Sequence, residues 1–232
     1  MKYLLQVLLL MTIPLCAAPT ESKGTHKVSS GHELSYLLFE PDPALLPAGK
    51  PRPLVVFLHG AGERGDDLEK VKKHGPPTQA MEGAGLPFVL LAPQCPPGQW
   101  WDTDDVIDLI RHVAKEQSID PKRIHLTGLS MGGFGTWNIL AKAPELFASA
   151  VPICGAGEPK TAGAFKDMPI WAFHGTADEA VPVDGTRKME AALEKADATD
   201  FRATYYDGVG HDSWTRTYSN PAVYAWMMLQ SR

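Results

Sequence analysis

The chain has 232 residues, 44% of them hydrophobic, and a formal net charge of −5 at pH 7. Such a chain can bury the core of one ordinary domain. The acidic balance argues against nucleic acid or an anionic membrane surface as a partner. No cluster of histidine, cysteine or carboxylate residues has metal-ligand spacing along the chain, so we expect no metal and no cofactor.

The first residues have the composition of a targeting segment. Residues 4–15 are almost wholly apolar, follow one lysine and precede small residues. An apolar run this short does not span a bilayer, which needs ~20 residues. We therefore predict a signal peptide over residues 1–18 and one catalytic domain over residues 19–232. The protein would be exported to the periplasm or the medium, and a lipoprotein anchored at Cys16 is the less favoured alternative.

The first predicted elements of the domain are an edge hairpin over residues 26–39 and a central strand. Residues 54–58 are all apolar, which is typical of a parallel strand buried on both faces. The strand leads into H-G-A-G-E-R-G at residues 59–65, a turn whose glycines let backbone N–H groups approach a substrate. We predict that the N–H of Ala61 donates to an oxyanion, with Gly62 as the alternative donor or as a substrate contact.

The next segment combines a strand, two tryptophans and a helix. Residues 88–92 predict a core strand, and residues 103–117 have helical spacing behind a cluster of aspartates that matches the helix dipole. Trp100 and Trp101, like Trp214 later in the chain, fall near the predicted catalytic edge. They either line an acyl or aromatic subsite or simply cover the sheet, and the sequence leaves both readings open.

Residues 128–132 read G-L-S-M-G, which fits the motif G-x-S-x-G. A predicted strand over residues 123–127 precedes it, and a predicted helix over residues 133–142 follows. Strand, sharp turn and helix are the setting of a nucleophile elbow, which exposes a serine at the top of a parallel sheet. We therefore predict Ser130 as the nucleophile and the N–H of Met131 as the second oxyanion donor.

Two later strands end beside a candidate acid and a candidate base. Residues 169–173 predict a strand that precedes Asp178, and residues 201–206 predict one that precedes His211. In an open α/β sheet, sites are built where the strands end. The chain order Ser, Asp, His is that of α/β-hydrolases. We predict His211 as the general base and Asp178 as the residue that orients it.

Four residues compete for these roles. His59 and His174 each precede a glycine at a strand end, where a structural hydrogen bond is the more common use of histidine. Asp184 precedes a helical stretch, so we predict that it caps that helix. Asp207 lies in a Tyr-Asp-Gly sequence and is predicted to shape a turn.

Cys95 and Cys154 would remain in an exported chain, where disulfides are permitted. Each follows a predicted strand. With the strand order of ordinary hydrolases two strands, each ~4.8 Å wide, lie between theirs. A disulfide would therefore require both loops to reach inward, and the pairing stays open.

Four sequence blocks resemble one branch of the α/β-hydrolases. They are H-G-A-G-E-R-G at residues 59–65, A-P-Q-C-P at 92–96, G-L-S-M-G-G-F-G-T-W at 128–137 and W-A-F-H-G-T-A-D at 171–178. The blocks are similar to dienelactone-hydrolase-like and prolyl-oligopeptidase-like proteins, and among them to secreted carboxylesterases of the phospholipase/carboxylesterase or polyhydroxybutyrate-depolymerase type. The resemblance implies a serine esterase with the triad predicted above. Dienelactone hydrolases themselves use a cysteine nucleophile, and Ser130 argues against that chemistry.

Strands and helices alternate throughout, which predicts the α/β class and an α/β-hydrolase fold: a mostly parallel central sheet with helices on both faces. The connection over residues 155–168 is short, so we expect no substantial lid. The leading function is an exported serine carboxylesterase acting on small-molecule or polysaccharide-linked esters. The alternatives are a serine exopeptidase of the prolyl-oligopeptidase-like type and a non-catalytic binding module. The acyl and alcohol parts of the substrate and the oligomeric state stay open.

Overall fold

A computed structural model of the protein describes residues 19–46 and 49–232, and the predicted signal peptide lies outside the described residues. Eight strands form one sheet. They are β1 (Thr20–Lys27), β2 (Glu33–Glu40), β3 (Arg52–Leu58), β4 (Val89–Pro93), β5 (Ile119–Leu129), β6 (Ser149–Ile153), β7 (Ile170–Gly175) and β8 (Phe201–Tyr206). Their order is β1-β2-β4-β3-β5-β6-β7-β8. β2 runs antiparallel to both of its neighbours, and the strands from β4 to β8 are parallel.

Helices cover both faces of the sheet. They are α1 (Gly75–Met81), α2 (Thr103–Glu116), α3 (Met131–Lys142), α4 (Asp184–Lys195), α5 (Trp214–Tyr218) and α6 (Pro221–Leu229). Buried side chains of α2, α3 and α4 share one hydrophobic cluster, and those of α1, α5 and α6 share the other. Along β3, Leu54, Val56 and Leu58 point into the first cluster and Val55 and Phe57 into the second. The apolar run therefore belongs to a strand buried on both faces, as predicted.

The connection from β6 to β7 packs onto the domain. It contains one 3-10 helix, Pro159–Ala164. Ala162 and Phe165 are buried, and the ring centre of Phe165 lies 5.9 Å from that of Trp137 on α3. Within residues 19–46 and 49–232 this connection forms no lid, in agreement with the prediction. No helix in the same ranges combines the length and apolar character needed to cross a membrane.

The two rival aspartates occupy different settings. Asp184 is the first residue of α4 and does not cap it. The cap is Val183, which makes no side-chain cap hydrogen bond. The predicted capping role of Asp184 is therefore wrong, since its exposed carboxylate instead lies 3.4 Å from Nη1 of Arg187 one helical turn on. Asp207 follows β8 in a turn and accepts a hydrogen bond from the hydroxyl of Thr176 at 3.2 Å, so the predicted turn is confirmed.

Cys95 and Cys154 are both buried and unpaired. Cys95 follows β4 and Cys154 follows β6. β3 and β5 lie between β4 and β6, which are the two intervening strands expected from the sequence. The loops do not reach inward to join the two thiols.

Candidate active site

The turn between β5 and α3 holds Ser130 in an uncommon backbone conformation. Its φ is 53° and its ψ is −117°, values that L-residues rarely adopt outside functional sites. The conformation is fixed on both sides, because the N–H of Ser130 donates to the carbonyl of Ile153 and its own carbonyl accepts from the N–H of Phe134, each at 3.0 Å. The local geometry is that of a nucleophile elbow.

Gly132, in the first turn of α3, packs directly on the end of β3. A Cβ atom at this position would lie 1.9 Å from the carbonyl oxygen of Leu58, so only glycine fits there. This contact brings the turn after β3 beside Ser130. A Cβ atom on Gly60, in that turn, would lie 3.7 Å from the Cβ of Ser130.

The three residues predicted as a triad lie in one hydrogen-bonded chain. Oγ of Ser130 is 2.9 Å from Nε2 of His211, and Nδ1 of His211 is 2.8 Å from Oδ2 of Asp178. The side chain of Asp178 is fully buried, whereas that of His211 is 28% exposed. The imidazole thus links a buried carboxylate to a serine at the carboxyl edge of the sheet.

Asp178 is stabilised as a carboxylate. Burial alone would raise its pKa, but the hydrogen bonds from His211 and from the N–H groups of Val181 and Ala180 outweigh burial and hold the pKa below its usual range. Both N–H groups donate to Oδ1 at 2.9 Å, whereas Oδ2 faces Nδ1 of His211 at 2.8 Å and Nε2 of His174 at 3.3 Å. The charged Oδ2 favours the His211 tautomer that carries its proton on Nδ1, so Nε2 remains free to accept the proton of Ser130.

The loops that carry Asp178 and His211 are joined to each other. The N–H of Ala177 donates to the carbonyl of Val209 at 2.9 Å. A Cβ atom on Gly175 would lie 2.2 Å from the same carbonyl oxygen, so glycine is required where the two loops cross. This crossing fixes the distance between Asp178 and His211.

The predicted oxyanion donors lie in first turns of helical segments. Ala61 begins a 3-10 turn, Ala61–Glu63, and Met131 begins α3. In the described part of the chain neither N–H has a protein acceptor, as expected for the first turn of a helix. Gly62 lies in the same 3-10 turn, and a Cβ atom there would meet open space.

Glu63 fixes that 3-10 turn, a role that the sequence analysis missed. Its residue is 4% exposed, and its Oε2 accepts the N–H of Gly60 at 3.1 Å. Its other oxygen lies 3.8 Å from Nε2 of His74. The amide of Gln94 donates to the Glu63 carbonyl at 2.9 Å. The available signal was an acidic residue inside a glycine-rich turn that is otherwise built for close backbone approach.

His59 and His174 have structural hydrogen bonds, as predicted. Nε2 of His59 accepts the N–H of Cys95 at 3.0 Å, and its Nδ1 donates to the carbonyl of Gly60 at 2.6 Å. Burial, aided by the charge of Arg64, lowers the pKa of His59 to about 4. His174 is fully buried, and its Nε2 donates to the carbonyl of Val181 at 2.8 Å. Burial lowers its pKa as well. Both rings hold loops in place around the site.

The three tryptophans have three different settings. Trp101 is 7% exposed and donates its indole N–H to the carbonyl of His59 at 3.1 Å, so it belongs to the core. Trp100 is 61% exposed and meets the ring of Phe134 edge-on at 5.8 Å. Trp214 stands edge-on to His211 with ring centres 5.2 Å apart. Trp101 therefore covers the sheet. For Trp100 and Trp214, a substrate subsite and a cover of the sheet both stay open.

The sheet order, the elbow and the placement of the site define the α/β-hydrolase fold. Within that class, the model of the dienelactone hydrolase family matches residues 101–225, more than half of the chain. The chain belongs to this family.

Solved and curated relatives agree with this class. The crystal structure of a thermostable esterase superposes with a TM-score of 0.81 and 37% identity over 91% of this chain and 63% of that chain. A bifunctional acetylxylan esterase/xylanase of Neocallimastix patriciarum is 29% identical over 136 residues, which are 56% of this chain. Feruloyl esterase B of Piromyces equi is 37% identical over 111 residues, which are 40% of this chain. The chain spans 20% of each of these two curated relatives.

Proposed function

We propose that the protein is a serine carboxylesterase that works through an acyl-enzyme intermediate. The observation that carries the proposal is the hydrogen-bonded chain from Ser130 through His211 to Asp178. A serine hydroxyl is a weak nucleophile until a base takes its proton, and Nε2 of His211 lies where that proton leaves. The names of two relatives, an acetylxylan esterase/xylanase and a feruloyl esterase, support an ester as the substrate.

The first half of the reaction forms the acyl-enzyme. Oγ of Ser130 attacks the ester carbonyl carbon while its proton moves to Nε2 of His211, and the carboxylate of Asp178 stabilises the resulting imidazolium. The oxyanion that develops is held by the N–H groups of Ala61 and Met131. His211 then donates its proton to the leaving alcohol as the C–O bond breaks.

The second half hydrolyses that intermediate. Water takes the place of the alcohol and gives its proton to Nε2 of His211 as it attacks the acyl carbon. Collapse of the second tetrahedral intermediate returns the proton to Oγ of Ser130 and releases the carboxylic acid. No cofactor is needed for either half.

For the substrate we infer a small or exposed ester, such as an acyl or hydroxycinnamoyl group on a polysaccharide. The β6–β7 connection is packed against α3, so it encloses no long acyl chain. Exposed Trp100 and the ring of Trp214 beside His211 offer aromatic surface at this edge. Export through the predicted leader over residues 1–18 would bring the enzyme to such polymers.

The proposal is tested by comparing kcat/KM across p-nitrophenyl esters of increasing chain length, methyl ferulate, acetylated xylan and an aminoacyl p-nitroanilide. We expect turnover of the short-chain esters and of methyl ferulate, acetylated xylan or both, and little turnover of the amide. Faster cleavage of the amide would favour an exopeptidase. The absence of turnover and of fluorophosphonate labelling would instead indicate a binding module.

A further inference from the structure

Cys154 lies directly beneath the triad, and the proposed reaction makes no use of it. It follows the last residue of β6, whose carbonyl accepts the N–H of Ser130, and its own N–H donates to the carbonyl of Phe173 on β7 at 2.9 Å. The residue is fully buried, and its φ is 39°. Its thiol thus sits between the strand ends that carry the serine and the acid.

The thiol completes a set of metal-binding atoms. The sulfur of Cys154, a carboxylate oxygen of Asp178 and a ring nitrogen of His211 all lie within 4.8 Å of one another. Thiolate, carboxylate and imidazole are the three side-chain ligands that Zn²⁺ and related ions take in proteins. The spacing along the chain does not reveal this set, because the three residues come from three different loops, 24 and 33 positions apart.

We propose that Cys154, Asp178 and His211 form an inhibitory site for a thiophilic divalent cation such as Zn²⁺ or Cd²⁺. A thiolate and a carboxylate together balance the two positive charges of the ion, and a neutral imidazole completes the set. In a tetrahedral zinc site the ligand atoms are roughly 3.3–3.6 Å apart. A pair at the 4.8 Å limit must therefore close by roughly 1.2–1.5 Å.

The chemistry of binding explains why the ion would inhibit. The S–H bond breaks, a metal–sulfur bond forms, and one proton leaves to the solvent. The nitrogen of His211 that faces Asp178 is Nδ1, so an ion bound there displaces its proton, and the neutral ring carries a proton on Nε2 instead. Nε2 then donates to Oγ of Ser130 and no longer accepts its proton. The metal therefore holds the base in the wrong tautomer for attack.

Burial of the thiol determines how the ion enters. Of the three side chains only that of His211 is exposed, at 28%, so an ion reaches Cys154 only when the ring moves aside. Inhibition is therefore expected to develop with time of incubation. It should also slow when a substrate analogue occupies the cleft over His211.

The test compares wild type with Cys154→Ser, and uses Cys95→Ser as the matched control because Cys95 is equally buried but follows β4. Each protein is incubated with ZnCl₂, and its esterase rate is divided by its own metal-free rate. We expect wild type and Cys95→Ser to lose at least 100-fold in rate and to recover with EDTA, because a wrong histidine tautomer costs on the order of 10⁴ in kcat. Cys154→Ser should resist the same concentrations. Equal sensitivity of Cys154→Ser, or a wild type that Zn²⁺ does not inhibit, would overturn the site.

A second readout does not depend on activity. Co²⁺ bound to a thiolate gives a ligand-to-metal charge-transfer band in the near ultraviolet. We expect this band in wild type and in Cys95→Ser and not in Cys154→Ser. If Cys154→Ser does not fold, a band in both remaining proteins supports the site, and its absence in either overturns it. The inhibition experiment rests on the proposed function, whereas the cobalt spectrum would report the site even in a protein without esterase turnover.

Discussion

Oγ of Ser130 lies 2.9 Å from Nε2 of His211, although the two residues are 81 positions apart along the chain. Ser130 follows the end of β5, and His211 lies on the loop after β8. The sheet brings these two ends to the same edge, and Asp178 on the loop after β7 completes the chain of hydrogen bonds.

Replacing Ser130, the proposed nucleophile, should abolish covalent labelling and turnover. Ser130→Ala removes the only hydroxyl positioned on Nε2 of His211 among the described residues. We expect loss of fluorophosphonate labelling and of nearly all esterase turnover, with the fold intact by circular dichroism. Full labelling of the folded variant would show that another residue is the nucleophile.

Replacing the proposed base His211 or its proposed partner Asp178 should be nearly as damaging. We expect His211→Ala and Asp178→Asn each to lower kcat by about 10⁴, because the serine then loses its proton acceptor or the ring loses its correct tautomer. The double variant should be little worse than either single one, since the triad acts as a unit. Asp184→Asn is the control, because Asp184 is exposed at the start of α4. A larger loss in Asp184→Asn than in Asp178→Asn would contradict the assignment.

Glu63 should act on turnover through the oxyanion turn. Its Oε2 accepts the N–H of Gly60, next to the donor Ala61, so Glu63→Ala should loosen that turn. We expect kcat to fall about 10- to 100-fold with little change in KM, less than the full loss of one oxyanion donor. Glu63→Gln keeps an acceptor oxygen and should recover most of the rate. If glutamine and alanine were equally damaging, the charge of Glu63 and not its hydrogen bond would matter.

Trp214 should affect aromatic esters selectively. Its ring stands edge-on to His211, so Trp214→Ala should raise KM for methyl ferulate more than for p-nitrophenyl acetate. Equal changes for both esters would assign Trp214 a structural role.

The same assays should show no jump in rate as a substrate passes its solubility limit, because the β6–β7 connection forms no lid.

Buried histidines should make stability fall with acid. Burial lowers the pKa of His59 to about 4 and that of His125 to about 3, with nearby arginines adding to both shifts. The unfolded chain takes up these protons near pH 6.5, so the stabilisation is complete above that pH and is lost as pH falls toward 4 and 3. Each ring contributes a slope of up to about 1.4 kcal/mol per pH unit.

The measurement is urea unfolding between pH 7.5 and 4.5. The slope of the unfolding free energy against pH should be smaller in His125→Asn than in wild type. The difference corresponds to the uptake of one proton, because asparagine does not titrate in this range. His125 contacts Ser149 within the sheet, far along β5 from the triad, so its effect should appear in stability and not in the esterase mechanism. An unchanged slope would contradict the proposed linkage.

The sheet, and the meeting of Ser130, Asp178 and His211 at one edge of it, could be predicted because each depends on local pattern. Apolar runs mark β3 and β7, and the motif around Ser130 marks the elbow. Helices α1 and α5 were missed because they are short, and because α1 begins Gly-Pro-Pro, which reads as a turn. Prolines are tolerated in its first turn, where their missing N–H would have had no helical acceptor.

The roles of Glu63 and Cys154 could not be predicted from local pattern. The contact of Glu63 with His74 and the position of Cys154 under the triad arise only when distant strands are placed side by side. The positive φ of Cys154 is equally invisible, because cysteine has no preference for that conformation. For Asp184 the local pattern predicted a role that the structure does not show. Aspartate commonly caps helices, but Asp184 lies one position too late to cap α4.

The backbone conformation of Ser130 positions the proposed nucleophile and lowers the stability of the folded protein. A non-glycine residue in such a conformation costs about 1–3 kcal/mol, and glycine adopts it freely. Ser130→Gly would therefore relieve the backbone strain and remove the proposed nucleophile in the same step. Ranking variants by soluble yield or melting temperature alone would therefore enrich glycine at this position and with it the loss of the proposed activity. A library of this proposed esterase has to be sorted by turnover from its first round.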